Sequence, residues 1–379
     1  MKWIGGFYIP MYNQPWKLVQ NRIRGAGGRE IDKFRGITPP IDDETGSEAW
    51  IGSVTRVEKP PKDKPNYGCS EVYLPDGERL FLFEAIERAP EEILGKTHMQ
   101  KNGTGLGMLI KYLDAQRQYG LQCHPTRPWA KKMWNSDYGK EESWFIIGTR
   151  DDTAEPAYIL LGFQEGVTRE EWEKYYHAGD LEALENLCHK IPVQVGETYF
   201  VGGGCPHALG EGCFVIEVQE PSDITLGALP MRETAKLWHI DFGEITPEAE
   251  ALYDERLLGA YVYDGCTYEE NLKRWRIPRK VFRRGDWGTE SIVIGLDQTS
   301  FFSFTELDAH GCAPIRDTGF PQVAIVLEGS GKLIYDGGEM EIHKADELFF
   351  PYHISNHRVE GDVKLILCHP EGVTYEDAE

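Results

Sequence analysis

The chain has 379 residues, which at roughly 150 residues per domain suggests two or three domains and ample core. Lys+Arg 40 against Asp+Glu 62 leaves a formal net charge of −22, a surface that repels phosphate backbones and anionic lipid heads, so neither nucleic acid nor a membrane is an expected partner. Hydrophobic residues at 41% and aromatics at 12% exclude a disordered chain, Gly 41 points to turn-rich β structure, and no apolar run approaches the ~18 residues of a spanning helix.

Residues 1–15, with Gly5, Gly6, Pro10 and Pro15, lack the apolar stretch of a secretory signal, so no export signal is expected. The Cys count is 8 with no Cys-x-x-Cys pair, which fits free thiols and a cytoplasmic location. Residues 1–100 are broken by Gly25-Ala26-Gly27-Gly28, Pro39-Pro40 and Pro60-Pro61-Lys62-Asp63-Lys64-Pro65, and read as long loops with a few short strands. From Leu121 onward short apolar runs follow one another: Trp144–Ile147, Ala157–Phe163, Thr198–Val201, Phe214–Val218, Ser291–Leu296, Phe301–Leu307, Val323–Leu327, Leu348–Phe350 and Val363–Leu367. They are rich in Val, Ile, Phe and Tyr and bounded by Gly, Pro or Asp, as strands of a sandwich or barrel are. Helices are the minority. Thr168-Arg169-Glu170-Glu171 opens one, Asp180 caps a second, and Thr246-Pro247 to Gly259 brackets a third. The expected organisation is an N-terminal domain at 1–235 with long N-terminal loops, a helical linker at 236–290 and a second β domain at 291–379.

Most of the 11 histidines stand alone, but one group does not. In Leu121-Gln122-Cys123-His124-Pro125 the side chains of Gln122 and His124 share a strand face. Glu142 opens a strand, and His207 closes a stretch containing Gly202, Gly203 and Gly204. A carbonyl oxygen, two imidazoles and a carboxylate on separate strands suit a borderline divalent cation such as zinc with one open position.

Gly196-x5-Gly202-x-Gly204-x-x-His207 resembles the second cupin motif, with Gly202 in the usual place of proline, and Gln122-x-His124 with Glu142 resembles the first. The expected fold is therefore mainly β, two cupin-type β-sandwich or jelly-roll barrels with a small helical insert. More specifically, the chain resembles the type I phosphomannose isomerases. The resemblance rests on Gln122-Cys123-His124-Pro125, Gly139-Lys140-Glu141-Glu142-Ser143-Trp144, Leu161-Gly162-Phe163 with Gly166-Val167, Pro192–Gly196, His207-Ala208-Leu209-Gly210 and, upstream, Gly46-Ser47-Glu48-Ala49-Trp50. It runs in register from about 45 to 225 and is much weaker after 290.

The resemblance implies one zinc ion per chain on Gln122, His124, Glu142 and His207, with Lys140 as proton donor or substrate contact and Glu217 as candidate base. It implies an aldose–ketose isomerase interconverting mannose 6-phosphate and fructose 6-phosphate. Two departures bear on the substrate. Gly120 stands where the family carries a phosphate-contacting Ser, and Ser222-Asp223-Ile224-Thr225 runs into Leu226-Gly227 where the family has an aromatic residue and an Arg. Arg127, Asp223 and Arg232 are the remaining candidates for substrate binding. Two alternatives stay open: an isomerase of an unphosphorylated or otherwise modified sugar, and a non-catalytic sugar-binding cupin. Residues 291–370 also read as a cupin, with Gly329-Ser330-Gly331-Lys332-Leu333 as a tight hairpin. No His-x-His precedes its Ala345–Pro351 segment and Asn356 takes the histidine place, so this unit is expected to bind no metal, leaving His353, His357 and His369 as loop or core residues.

Overall fold

The computed structural model describes residues 3–4, 7–8, 12–41, 46–239 and 241–375; Gly5, Gly6 and Pro10 of the stretch read for an export signal lie outside that set. Strand makes up 34% and helix 21%, which makes the protein mainly β, as expected. The chain forms two compact units, one from 113–216 and 222–277, the other from 1–112, 217–221 and 278–379.

In the first of these, a five-stranded antiparallel sheet runs in the order Cys188–Pro192, Tyr158–Phe163, His207–Leu209, Gln122–Cys123, Leu226–Gly227. Its strands are apolar on both faces, and each face has a use. Ile159, Leu161 and Leu209 pack with Trp144, Ile146 and Tyr199, which come from the paired strands Glu142–Thr149 and Thr198–Val201. Leu160, Phe163, Ala208 and Leu226 face the other way, onto Trp172, Tyr176, Leu184 and Leu257 of three helices. Those helices are the expected ones. Thr168 accepts from Glu171 N to start Arg169–Ala178, Asp180 from Ala183 N to start Leu181–Asn186, and Thr246 from Ala249 N to start Pro247–Leu258.

The second unit carries a ten-stranded sheet. Its principal order is Lys280–Gly285, Gly288–Ile294, Phe302–Pro314, Arg358–Pro370, Gln322–Tyr335, Glu347–Phe350, Trp16–Leu18, Glu71–Tyr73, Arg79–Phe81, with Gly338–His343 also paired to Gln322–Tyr335. The core face presents Leu307, Ala324, Val326, Leu348, Leu365 and Leu367. Trp16 and Lys17 pair with Phe349 and Leu348, so N-terminal chain completes a C-terminal sheet.

Three expectations need correction. The compact units do not follow the contiguous division at 235 and 290, because pairings such as Lys17 with Leu348 draw distant segments together. Gly329–Leu333 is not a hairpin. It lies inside the continuous strand Gln322–Tyr335, where a bulge between Val326 and Glu328 precedes Gly329 at φ 79°, and the turn comes later, between Tyr335 and its partner Gly338. A Cβ at Gly329 would stand 2.0 Å from the Asp362 carbonyl oxygen, so the glycine permits close strand approach rather than reversal. Residues 1–100 also hold more helix than expected: Arg29–Phe34, Leu82–Arg88, Pro90–Leu94 and Lys96–Asn102, with Leu82, Ala85, Ile86, Ile93 and Leu94 buried. Helices of five to seven residues are too short to display a periodic apolar face in sequence.

Candidate metal centre

Three strands bring the predicted ligands together. His207 pairs directly opposite Gln122, which sets their side chains next to each other on one face. His124 lies two residues beyond Gln122, and Glu142 begins the strand that pairs with Val201. The turn between Val201 and His207 is tied down at Gly204, whose N–H donates to His124 O (2.8 Å) and whose carbonyl accepts from Val262 N (3.0 Å). Gly204 has φ +86°, and a Cβ there would meet Val262 Cγ2 at 2.5 Å and Ala260 O at 2.9 Å. Only glycine satisfies both the dihedral and the space.

One potential ligand atom from each of His124, Glu142 and His207 falls within 4.8 Å of the others, and all three residues are buried. His124 Nε2 is 3.2 Å from Glu142 Oε2 and His207 Nε2 is 3.4 Å from Glu142 Oε1. The Gln122 amide lies 3.2 Å from His207 Nε2 and 3.5 Å from His124 Nε2. Each imidazole is oriented by a carbonyl behind it: His124 Nδ1 is 3.0 Å from Ile224 O and His207 Nδ1 is 2.9 Å from Cys205 O. A protonated Nδ1 donating to those carbonyls leaves both Nε2 lone pairs directed at Glu142. Lys140 Nζ sits at the edge of the group, 2.7 Å from His124 Nε2 and 3.2 Å from Glu142 Oε2.

The electrostatics match. Burial and the Lys140 ammonium push His124 down to about 3, and burial lowers His207 as well, so both rings are neutral at pH 7. Burial alone would raise Glu142, but Lys140 and the two histidines outweigh it and hold the carboxyl well below the usual carboxylate range. Among the described residues, neither Glu142 oxygen receives a hydrogen bond of regular geometry although the side chain is fully buried. An ionised carboxylate so placed is costly unless a cation compensates it. Two neutral imidazoles and a buried carboxylate are already deprotonated for a divalent ion, so the residues present fit a metal.

The other predicted residues fall elsewhere. Arg127 opens the helix Arg127–Trp134, its guanidinium 5.7 Å from the Tyr138 ring. Asp223 lies just before Leu226–Gly227, and its backbone carbonyl accepts from Thr225 Oγ1. Arg232 is half exposed and engaged by Glu250 through Nε (2.7 Å) and Nη2 (3.1 Å), so its charge is already matched. Gly227 pairs directly opposite Gln122, which locates the missing side chain beside a candidate ligand. Glu217 belongs to the other compact unit, buried, with its Oε1 accepting from Lys111 Nζ at 2.8 Å. Lys111 also donates to Gln219 Oε1 (2.6 Å) and lies 5.2 Å from the Trp50 ring centre, whose Nε1 donates to Glu48. Sequence reading passed over Lys111. The available signal was a lysine flanked by apolar residues inside the strand Leu109–Asp114, every residue of which is buried. In the same second unit His357 and His369 are buried and His353 is exposed against the Tyr352 ring.

Known proteins share parts of this sequence and fold. The family model for the mannose-6-phosphate isomerase cupin domain matches residues 295–370, the region where the motif resemblance is weaker. The chain is 26% identical over 269 residues to the probable mannose-6-phosphate isomerase GmuF of Bacillus subtilis, covering 71% of this chain and 76% of that protein. Its fold resembles the crystal structure of the Bacillus subtilis mannose 6-phosphate isomerase, with a TM-score of 0.71 at 22% identity over 94% of this chain and 99% of that one. A zinc-bound mannose 6-phosphate isomerase structure aligns with a TM-score of 0.70 at 15% identity, over 94% of this chain and 99% of that one. In sequence and in fold the chain is thus similar to mannose-6-phosphate isomerases, and its residues 295–370 match their cupin-domain model.

Proposed function

We propose that the protein is a zinc-dependent aldose–ketose isomerase that interconverts mannose 6-phosphate and fructose 6-phosphate. The observation that carries this reading is the buried Glu142 carboxylate, without a regular hydrogen bond, between the inward-facing Nε2 atoms of His124 and His207. Gln122, His124, Glu142 and His207 would hold one zinc ion, with the Gln122 amide presenting its oxygen. When bound, the metal polarises the sugar carbonyl and stabilises the oxyanion that develops as a proton moves between adjacent carbons. Lys140, in contact with two of these ligands, holds a proton at a sugar oxygen. Glu217 is the proposed base that takes a proton from one sugar carbon and returns it to the next, its carboxylate fixed by Lys111. The names of the similar proteins support the substrate, and the unpaired state of all eight cysteines supports a cytoplasmic setting.

One observation favours a second reading, an unphosphorylated sugar. Gly227 faces Gln122, Gly120 precedes the ligand strand, and Arg232 is committed to Glu250, so three expected sources of a phosphate donor are absent or engaged. The test compares kcat/KM of the zinc-loaded protein for mannose 6-phosphate with that for mannose and fructose. A preference of about 100-fold or more for the phosphorylated sugar, the worth of one or two charge-assisted hydrogen bonds, supports the first reading. Comparable values, or a preference for the free sugar, support the second.

A further inference from the structure

A second polar cluster lies in the C-terminal sheet, in the other compact unit from the proposed zinc ligands. His369 pairs with Ser303, and Gln322, one step beyond the Val323–Cys368 pair, takes the place next to His369 on the neighbouring strand. This row continues the face that carries Leu365, Leu367, Ala324 and Val326, where the neighbouring polar pair is already matched, Thr305 Oγ1 donating to Glu290 Oε1 (2.7 Å). Arg316 reaches the same place. Its backbone carbonyl accepts from Gln322 Nε2 (3.3 Å), and its guanidinium stacks between Tyr375 (4.6 Å to the ring centre) and Phe282 (5.6 Å), with Nη1 held by Thr374 O. Tyr375 in turn donates to Ser303 Oγ (2.8 Å), and its ring centre is 6.2 Å from that of His369.

Five polar atoms of this cluster are buried and make no hydrogen bond among the described residues: Arg316 Nε and Nη2, Gln322 Oε1, and both nitrogens of His369. Native interiors rarely leave one such atom unmatched, and here they belong to three adjoining side chains, two of them almost wholly buried. Their chemistry is specific. Nε and Nη2 form the fork that binds two oxygens of one oxyanion, and aromatic stacking on either side fixes its plane. A neutral imidazole adds one N–H donor and one acceptor, and Gln322 Oε1 accepts only. A singly protonated oxyanion accepts from Arg316 and the imidazole N–H and donates its one O–H to Gln322 Oε1; a fully deprotonated one leaves Gln322 Oε1 unmatched.

We propose that Arg316, Gln322 and His369 form a binding site for a small protonated oxyanion of the hydrogenphosphate type, separate from the sugar site and independent of the isomerase reading. The probe is inorganic phosphate, titrated calorimetrically into the zinc-loaded full chain and into the His124→Ala/His207→Ala variant, with sulfate and acetate as comparators. The expected result is one phosphate bound in both proteins and sulfate and acetate bound at least about tenfold more weakly, the worth of one lost hydrogen bond. Arg316→Met should weaken phosphate at least about 100-fold, since it removes two charge-assisted donors. Gln322→Leu should abolish the preference of phosphate over sulfate, and it decides the matter if Arg316→Met does not fold. No binding by the parent chain, binding lost in the His124→Ala/His207→Ala variant, or phosphate binding unchanged in Arg316→Met or Gln322→Leu would overturn the proposal.

Discussion

Replacing Lys140 with Met should make the stability of the protein depend on metal. Lys140 Nζ lies 3.2 Å from Glu142 Oε2, with the two side chains 4% and 0% exposed. The imidazoles beside the carboxylate carry no charge at neutral pH, since His124 is pushed down to about 3 and His207 is lowered. In the metal-free fold the ammonium is thus the nearest compensation for a fully buried anion. Removing one partner of such a pair costs about 3–5 kcal/mol, because the remaining charge stays buried. A unit of this size shifts its melting temperature by roughly 2–4 °C per kcal/mol, so metal-free Lys140→Met should melt about 6–20 °C below the parent. A divalent ion on Glu142 takes over the compensation, and the difference in excess zinc should shrink to about 1 kcal/mol or less, the scale of an ordinary substitution. The assay is thermal unfolding of both proteins with chelator and with zinc. An equal gap in both conditions, or none with chelator, would refute the account of Lys140 as the cation that balances the empty ligand set.

Other outcomes are equally open to measurement. His124→Ala and His207→Ala should each lower bound zinc from about one ion per chain to a small fraction under dilute-metal dialysis, and full retention in both would refute the ligand assignment. His357, pushed down by burial to about 4, and His369, to about 3, stay neutral in the fold but take a proton near pH 6.5 once unfolded. The unfolded state binds more protons below that pH, so stability is full above about 6.5 and falls toward pH 4 by up to about 1.4 kcal/mol per pH unit per histidine. Urea midpoints from pH 7 to pH 5 measure this, and His357→Leu should flatten the slope. Gly204→Ala should destabilise by roughly 1–3 kcal/mol and weaken zinc, because it forces a side chain into positive φ against Val262 and the Ala260 carbonyl. Unfolding and metal-binding titrations that match the parent would count against that role.

The candidate ligand cluster of His124, Glu142 and His207 was legible because its residues sit at strand ends and after a glycine turn, features that sequence states directly. Strands such as Tyr158–Phe163 were legible for a similar reason: both faces are buried, leaving short apolar runs with sharp boundaries. The helix Tyr268–Trp275 was not, although Thr267 and Glu270 form a capping box and Tyr268, Leu272 and Trp275 recur at helical spacing, because eight residues give a stripe of only three apolar side chains and the fully buried residue is the polar Asn271. Segment 329–333 misled because glycine serves turns and close strand approaches alike. The pairing of Trp16–Leu18 with Glu347–Phe350 spans more than 300 residues, and no local pattern encodes such a partner choice. The ion pair of Lys111 with Glu217 depends on the same kind of long-range pairing, so the sequence alone does not disclose it.

The most direct test of the central claim is turnover of mannose 6-phosphate to fructose 6-phosphate by the purified chain, measured after chelation and again after zinc is restored. The account predicts isomerisation that disappears with chelator, returns with about one zinc per chain, and is absent in His124→Ala at any zinc concentration. Turnover that survives both chelation and His124→Ala, or a zinc-replete chain that isomerises neither phosphorylated nor free aldoses, would contradict it.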